Sequence, residues 1–193
     1  MGDPGYVVPF SKLGAGDVAL VGGKNASLGE MYGELREENI RVPDGFATVA
    51  DAYFAYLDHN QLREKIATEL ATLDVADVRA LARAGALIRG AIMDGELPPR
   101  LAEEIRGAYD RLRRENGGRD PTVAVRSSAT AEDLPDASFA GQQETYLNIC
   151  GDEQLLRTCK RVLASLFTDR AIAYRVHRGF EHMAIALSIG VQR

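Results

Sequence analysis

Residues 122–148, TVAVRSSATAEDLPDASFAGQQETYLN, constrain this chain more than any other stretch. An apolar, β-branched run ends in Arg126. Two serines, a threonine and the acids Glu132, Asp133 and Asp136 follow, and then a small-residue turn around Gly141. A guanidinium that closes a buried strand is costly to desolvate unless an anion meets it. Its planar fork matches phosphate oxygens, and the nearby hydroxyls, glycine and amides are what a polyphosphate requires. The competing account pairs Arg126 with one of the three acids. Ser127, Ser128 and Thr130 serve equally well as turn residues bonded to their own backbone. The run 138–143, SFAGQQ, reads either as a lid over a nucleotide, with the Gly141 amide and Thr145 hydroxyl reaching phosphates, or as a plain hairpin turn.

A second cation stands in a suggestive place. Lys24 follows Val21-Gly22-Gly23 at the mouth of a predicted helix, where it opposes the positive end of the helix dipole unless an anion sits alongside. Glycines that admit backbone amides, with a lysine at a helix start, suit phosphate. The spacing is not that of a P-loop, and a solvated lysine paired to Glu30 or Asp17 is the alternative.

The rest of the chain offers less chemistry. With 193 residues it can bury a substantial core, as one domain or as two small lobes. A net charge of −5 argues against bulk nucleic-acid binding, which wants a basic face. No apolar run is long enough to span a bilayer and no leader opens the sequence, so a cytoplasmic location is expected. Cys150 and Cys159 lack metal or disulfide spacing, and Cys159 falls on an apolar helical stripe. Magnesium at Glu132, Asp133 and Asp136 is not assigned, because nothing in the pattern fixes which would serve. His59, His177 and His182 lack a ligand or nucleophile context, so surface or helix-end roles are expected of them and no catalytic histidine and no metal ligand is named.

Periodicity predicts short strands at 6–10 and 18–21, a break at Gly22-Gly23, and a helix over 25–37. It predicts an extended stretch at 46–48, with Thr48 capping the next helix. Residues 61–116 read as a helical insert covering the sheet. Within it Asp74 caps a helix burying Val78, Leu81, Ala82, Leu87, Ile88 and Ile92, and Pro98-Pro99 opens another through Leu101, Ile105, Tyr109 and Leu112. Strands return at 122–125, 145–149 and 184–191. Between the last two, Asp152 and Asp169 open two helices. A chain whose last residues read as a strand, with Gln192-Arg193 at its edge, is expected to be a truncated piece.

Two sets of motifs resemble one family. VALVGGKNASLGEM (18–31) with RVPDGFATVADAY (41–53) resembles the amino-terminus of phosphoenolpyruvate synthases, the pyruvate, water dikinases. VAVRSSATAEDLPDASFAGQQETYLN with SLFTDRAIAYR (165–175) resembles their ATP-binding domain. Pyruvate, phosphate dikinase and rifampicin phosphotransferase share the VRSSA core but carry GGKGANL where this chain has GGKNASL.

The resemblance implies an α+β fold: residues 1–193 as the incomplete N-terminal part of an ATP-grasp domain, with the helical insert. It implies that ATP phosphorylates a histidine on a separate domain and that another domain passes the phosphoryl group to pyruvate. Lys24 and Arg126 would then hold ATP phosphates, Gly141 and Thr145 would lie in the loop over them, and Gln192 would stand near the adenine. Magnesium ligands, the phosphohistidine domain and the pyruvate domain are expected beyond this chain. Alone it is therefore expected to be inactive, either as a piece of such an enzyme or as a non-catalytic partner of a second polypeptide.

Overall fold

The last strand in the sequence organises the sheet from its middle. In the computed structural model, which describes residues 5–38, 40, 42–130 and 144–193, the strands are β1 (Val7–Pro9), β2 (Gly45–Thr48), β3 (Val123–Ala129), β4 (Thr145–Ile149) and β5 (Leu187–Gln192). They form one antiparallel sheet in the order β1-β2-β5-β3-β4. β5 is buried on both faces. Leu187, Ile189 and Val191 alternate with Ser188 and Gly190, so the two faces receive different chemistry.

Helices α1 (Val18–Glu37) and α6 (Asp152–Ser165) cover opposite faces of β3 and β5. Helix α5 (Pro99–Glu115) closes the β1–β2 end beside α6, burying Leu101, Ile105, Tyr109 and Leu112 as their spacing predicts. Helices α2 (Ala50–His59) and α3 (Leu62–Ala71) lead to α4 (Val78–Asp94), which packs on α6 and on α7 (Asp169–His177). The predicted insert is thus partly a sheet cover, through α5, and partly an outer layer, through α4.

Several local expectations are corrected. Residues 18–21 are the first turn of α1 rather than a strand. Four apolar residues in a row cannot reveal their period, and only Val21 of them is buried. Thr48 does not cap α2; its hydroxyl accepts from the Ile189 amide at 2.9 Å. Asp77, not Asp74, caps α4 by accepting from the Arg79 and Ala80 amides at 2.9 and 3.0 Å, while Asp74 closes a turn onto Ala76. The buried stripe also differs: Val78 and Leu87 are exposed and Ala82 is partly buried, while Leu81, Ala84, Ile88 and Ile92 lie inside. Gly151 and Thr168 stand at the caps where Asp152 and Asp169 were expected, one residue earlier in each case.

The segment 165–175 is a folding device. Arg175 is fully buried; its Nη1 donates to the Leu166 carbonyl at 2.6 Å and its Nε donates to His182 Nδ1 at 2.9 Å, with the guanidinium over the Phe167 ring. Burial lowers the Arg175 pKa to about 10, so it stays charged at neutral pH. Burial, and then the Arg175 charge, pushes His182 down to about 4. His182 was expected at a surface or helix end. It instead anchors the approach to β5, which its sequence context gave no means of reading.

A histidine whose folded pKa lies below its unfolded value stabilises the fold fully above pH 6.5, and that contribution is lost as pH falls from 6.5 towards 4. Thermal midpoints measured across pH 4–8 should fall on the acid side. The fall should be shallower in His182→Asn, which keeps an acceptor for Arg175 but does not titrate.

Candidate functional site

Arg126 lies midway along β3, not at its end. The strand runs on through Ser127 and Ser128 because their hydroxyls find partners: Ser127 Oγ approaches the Glu144 carbonyl at 3.5 Å, and Ser128 Oγ accepts from the Asn25 amide at 3.4 Å. These two serines are buried strand residues, not turn residues. Thr130 closes the β3–β5 pairing by exchanging hydrogen bonds with Ala186.

The register brings three predicted residues onto one face. Arg126 stands opposite Gly190 on one side and Thr145 on the other, and Gln192 stands opposite Ala124, two residues from Arg126. Directly paired residues share a face. The face is the one beneath α1, because a β-carbon on Gly190 would run into Asn25 Oδ1 and stand 3.2 Å from Arg126 Cγ. Thr145 is exposed there, and Arg126 and Gln192 are partly buried.

Lys24 is carried over this face by a kink in α1. Gly22 has φ 75° and ψ 159°, a conformation essentially reserved for glycine. A β-carbon at Gly22 would stand 2.7 Å from the Ser128 carbonyl oxygen and 2.8 Å from that of Ala129. The helix therefore restarts pressed against the end of β3, with Lys24, partly buried, in its first turn. Gly141 and the acids Glu132, Asp133 and Asp136 lie outside the described residues, as does the 138–143 turn.

A buried polar chain ties the kink to the sheet, and the sequence reading missed it. Asn25 Nδ2 donates to Ser188 Oγ at 2.8 Å and to the Val21 carbonyl at 3.2 Å; Ser188 Oγ donates to the Thr48 carbonyl. Asn25, Thr48, Ser128 and Ser188 are all buried. The available signal was Ser188 interrupting an apolar strand and Asn25 directly following Lys24. Each is bonded to a residue more than 100 positions away, which local spacing does not reveal.

The opposite face holds a different cleft, of about 510 Å³, lined by Arg89, Tyr146, Arg161, Asp169 and Arg170 among others. Its charges are engaged internally. Arg89 donates to Asp169 at 3.0 Å and to the Phe167 carbonyl at 2.7 Å, and Arg161 stacks over Tyr146. Tyr146 is pushed up to about 12 by burial and by its hydrogen bond to Glu144. Among the described residues no group of three or more His, Cys, Asp or Glu is placed to hold a metal ion.

The face under α1 presents a lysine-bearing helix restart, an arginine, a hydroxyl and an amide, a donor-rich set suited to an anion. The family model for the pyruvate phosphate dikinase AMP/ATP-binding domain matches residues 18–193. The chain belongs to that family. Among curated relatives of this dikinase domain, the phosphoenolpyruvate synthase of Neisseria meningitidis serogroup B is 58% identical over 188 residues, covering 97% of this chain and 24% of the relative. That of Escherichia coli K12 is 51% identical over 192 residues, covering 100% of this chain and 24% of the relative. A probable phosphoenolpyruvate synthase of Staphylothermus marinus is 46% identical, covering 97% and 22%. The chain thus spans about a quarter of the length of these relatives. Within the described part of this dikinase-family domain no helix is long and apolar enough to cross a membrane.

Gly22→Ala should destabilise the domain by about 2–5 kcal/mol, combining backbone strain with overpacking against β3. Gly33→Ala, elsewhere in α1 with open space around it, should be neutral or stabilise by up to about 1 kcal/mol. Urea unfolding of the two variants beside the parent checks both signs.

Proposed function

We propose that this chain is the phosphate-gripping N-terminal part of a phosphoenolpyruvate synthase, within an ATP-grasp nucleotide domain. In the whole enzyme ATP, water and pyruvate would give phosphoenolpyruvate, AMP and phosphate by way of a phosphohistidine on another domain. The observation that carries this reading is the identity of about half or more to phosphoenolpyruvate synthases over nearly the entire chain. The shared face of Arg126, Thr145 and Gln192 under the Lys24 turn supports it.

In this reading the residues position and neutralise. The Arg126 fork and the Lys24 ammonium take phosphate oxygens, the Thr145 hydroxyl and the Gly141 amide meet them from the loop side, and Gln192 hydrogen-bonds near the adenine. Phosphoryl transfer asks for such placement and charge compensation more than for covalent chemistry from the protein. Lys24, Arg126, Thr145 and Gln192 carry cations, a hydroxyl and an amide rather than carboxylates, so they do not fit magnesium. Its ligands are expected beyond this chain, with the phosphohistidine and pyruvate domains.

Lys24→Ala and Arg126→Ala, each placed in the full-length enzyme carrying this domain, should lower ATP- and pyruvate-dependent phosphate release while leaving the thermal midpoint near that of the parent. An arginine–phosphate contact is worth about 1.5–3 kcal/mol, so the loss should be roughly tenfold or more. Wild-type turnover in both variants would refute the assignment. Consumption of ATP with pyruvate and water, but not with rifampicin, separates the synthase from the antibiotic phosphotransferase.

A further inference from the structure

Two complementary polar atoms meet the same glycine without meeting each other. Asn25 Oδ1, an acceptor, and Arg126 Nε, a donor, are both buried, and neither has a hydrogen-bond partner among the described residues. Buried polar atoms are seldom left so, because each forfeits its water. The Asn25 amide is not free to turn. Its Nδ2 is held by Ser188 Oγ and the Val21 carbonyl, which aims Oδ1 at Gly190. Arg126 Cγ lies 3.2 Å from the point where a Gly190 β-carbon would stand, and Nε is one methylene further along the side chain.

We propose that Asn25 is a positioning residue for Arg126, its Oδ1 accepting from Nε–H when the guanidinium turns to meet a phosphate. The inference rests on the phosphate-gripping reading of Arg126 and adds to it what aims the fork. With Nε–H held from inside, the two Nη groups face outward together, the edge that binds two oxygens at once. An arginine side chain has several rotatable bonds, so a buried acceptor that fixes its inner end reduces what binding must order. Gly190 is the one residue whose side chain leaves room for this approach. The same asparagine carries Lys24 as its chain neighbour and holds Ser128 through its own amide, so one buried residue sets both cations.

The test uses the full-length enzyme carrying this domain and the affinity for a non-hydrolysable ATP analogue, measured by calorimetry beside thermal midpoints. Asn25→Ala should weaken binding about three- to tenfold, the contribution of one ordinary hydrogen bond. In an Arg126→Lys background, where a methylene replaces Nε, the same substitution should change affinity less than twofold. Should Asn25→Ala fail to fold, Ser188→Ala, which releases the amide from its anchor, should show the same dependence on the Arg126 background. An equal loss in both backgrounds, or a lowered midpoint with unchanged affinity, would make Asn25 a structural residue only and overturn the inference. If Arg126→Ala itself leaves affinity unchanged, the phosphate-gripping reading fails first, and the two failures are told apart.

Discussion

The close approach of Gly22 to the end of β3 is the contact on which the arrangement depends. The helix restart meets the Ser128 and Ala129 carbonyls there, with the Ser128 hydroxyl closer still to where a Gly22 β-carbon would stand. That proximity lets the Asn25 amide reach Ser128 and lets its carboxamide reach Ser188. Those bonds in turn fix the helix turn carrying Lys24 over the strand carrying Arg126. A polar chain of this kind is favourable only when its members are satisfied together. The kink, the serines and the asparagine therefore act as one unit.

Much of the architecture was legible because its signals are local. Amphipathic spacing located α5 and α6, and the apolar stripe carrying Cys159 lies inside. The strand at 145–149 emerged from a β-branched and apolar run, and the one expected at 184–191 is present as Leu187–Gln192. What failed were boundaries decided by tertiary contact. Val18–Val21 are helical, with Val21 buried and Val18 packed against the core. Ser127 and Ser128 stayed in the strand because distant groups satisfied them. The arginine of VAVRSS was thus given the wrong place in its strand.

The motifs that carried the resemblance divide into two kinds. GGKNA, within α1, and VAVRSS, in β3, meet across one face of the sheet. SLFTDRAIAYR does something else: Thr168 caps α7, Asp169 holds Arg89, and Arg175 joins the end of α6 to His182. A buried cation without a carboxylate among the described residues gains little stability by itself. It fixes how the chain turns back from α7 towards β5. A long family signature can therefore record the route of the chain rather than its chemistry.

The position of β5 has a consequence for biosynthesis. Ser188 closes onto Thr48 across 140 residues of sequence, and β5 separates β2 from β3. While the polypeptide is still emerging from the ribosome, β2 and β3 each present an open edge with no neighbour to pair with. Contacts this remote in sequence form slowly, and unpaired edges invite association with other chains. Until residues 187–192 have emerged the sheet lacks its central strand, a period in which a chaperone that shields strand edges would matter more than one that shields helices.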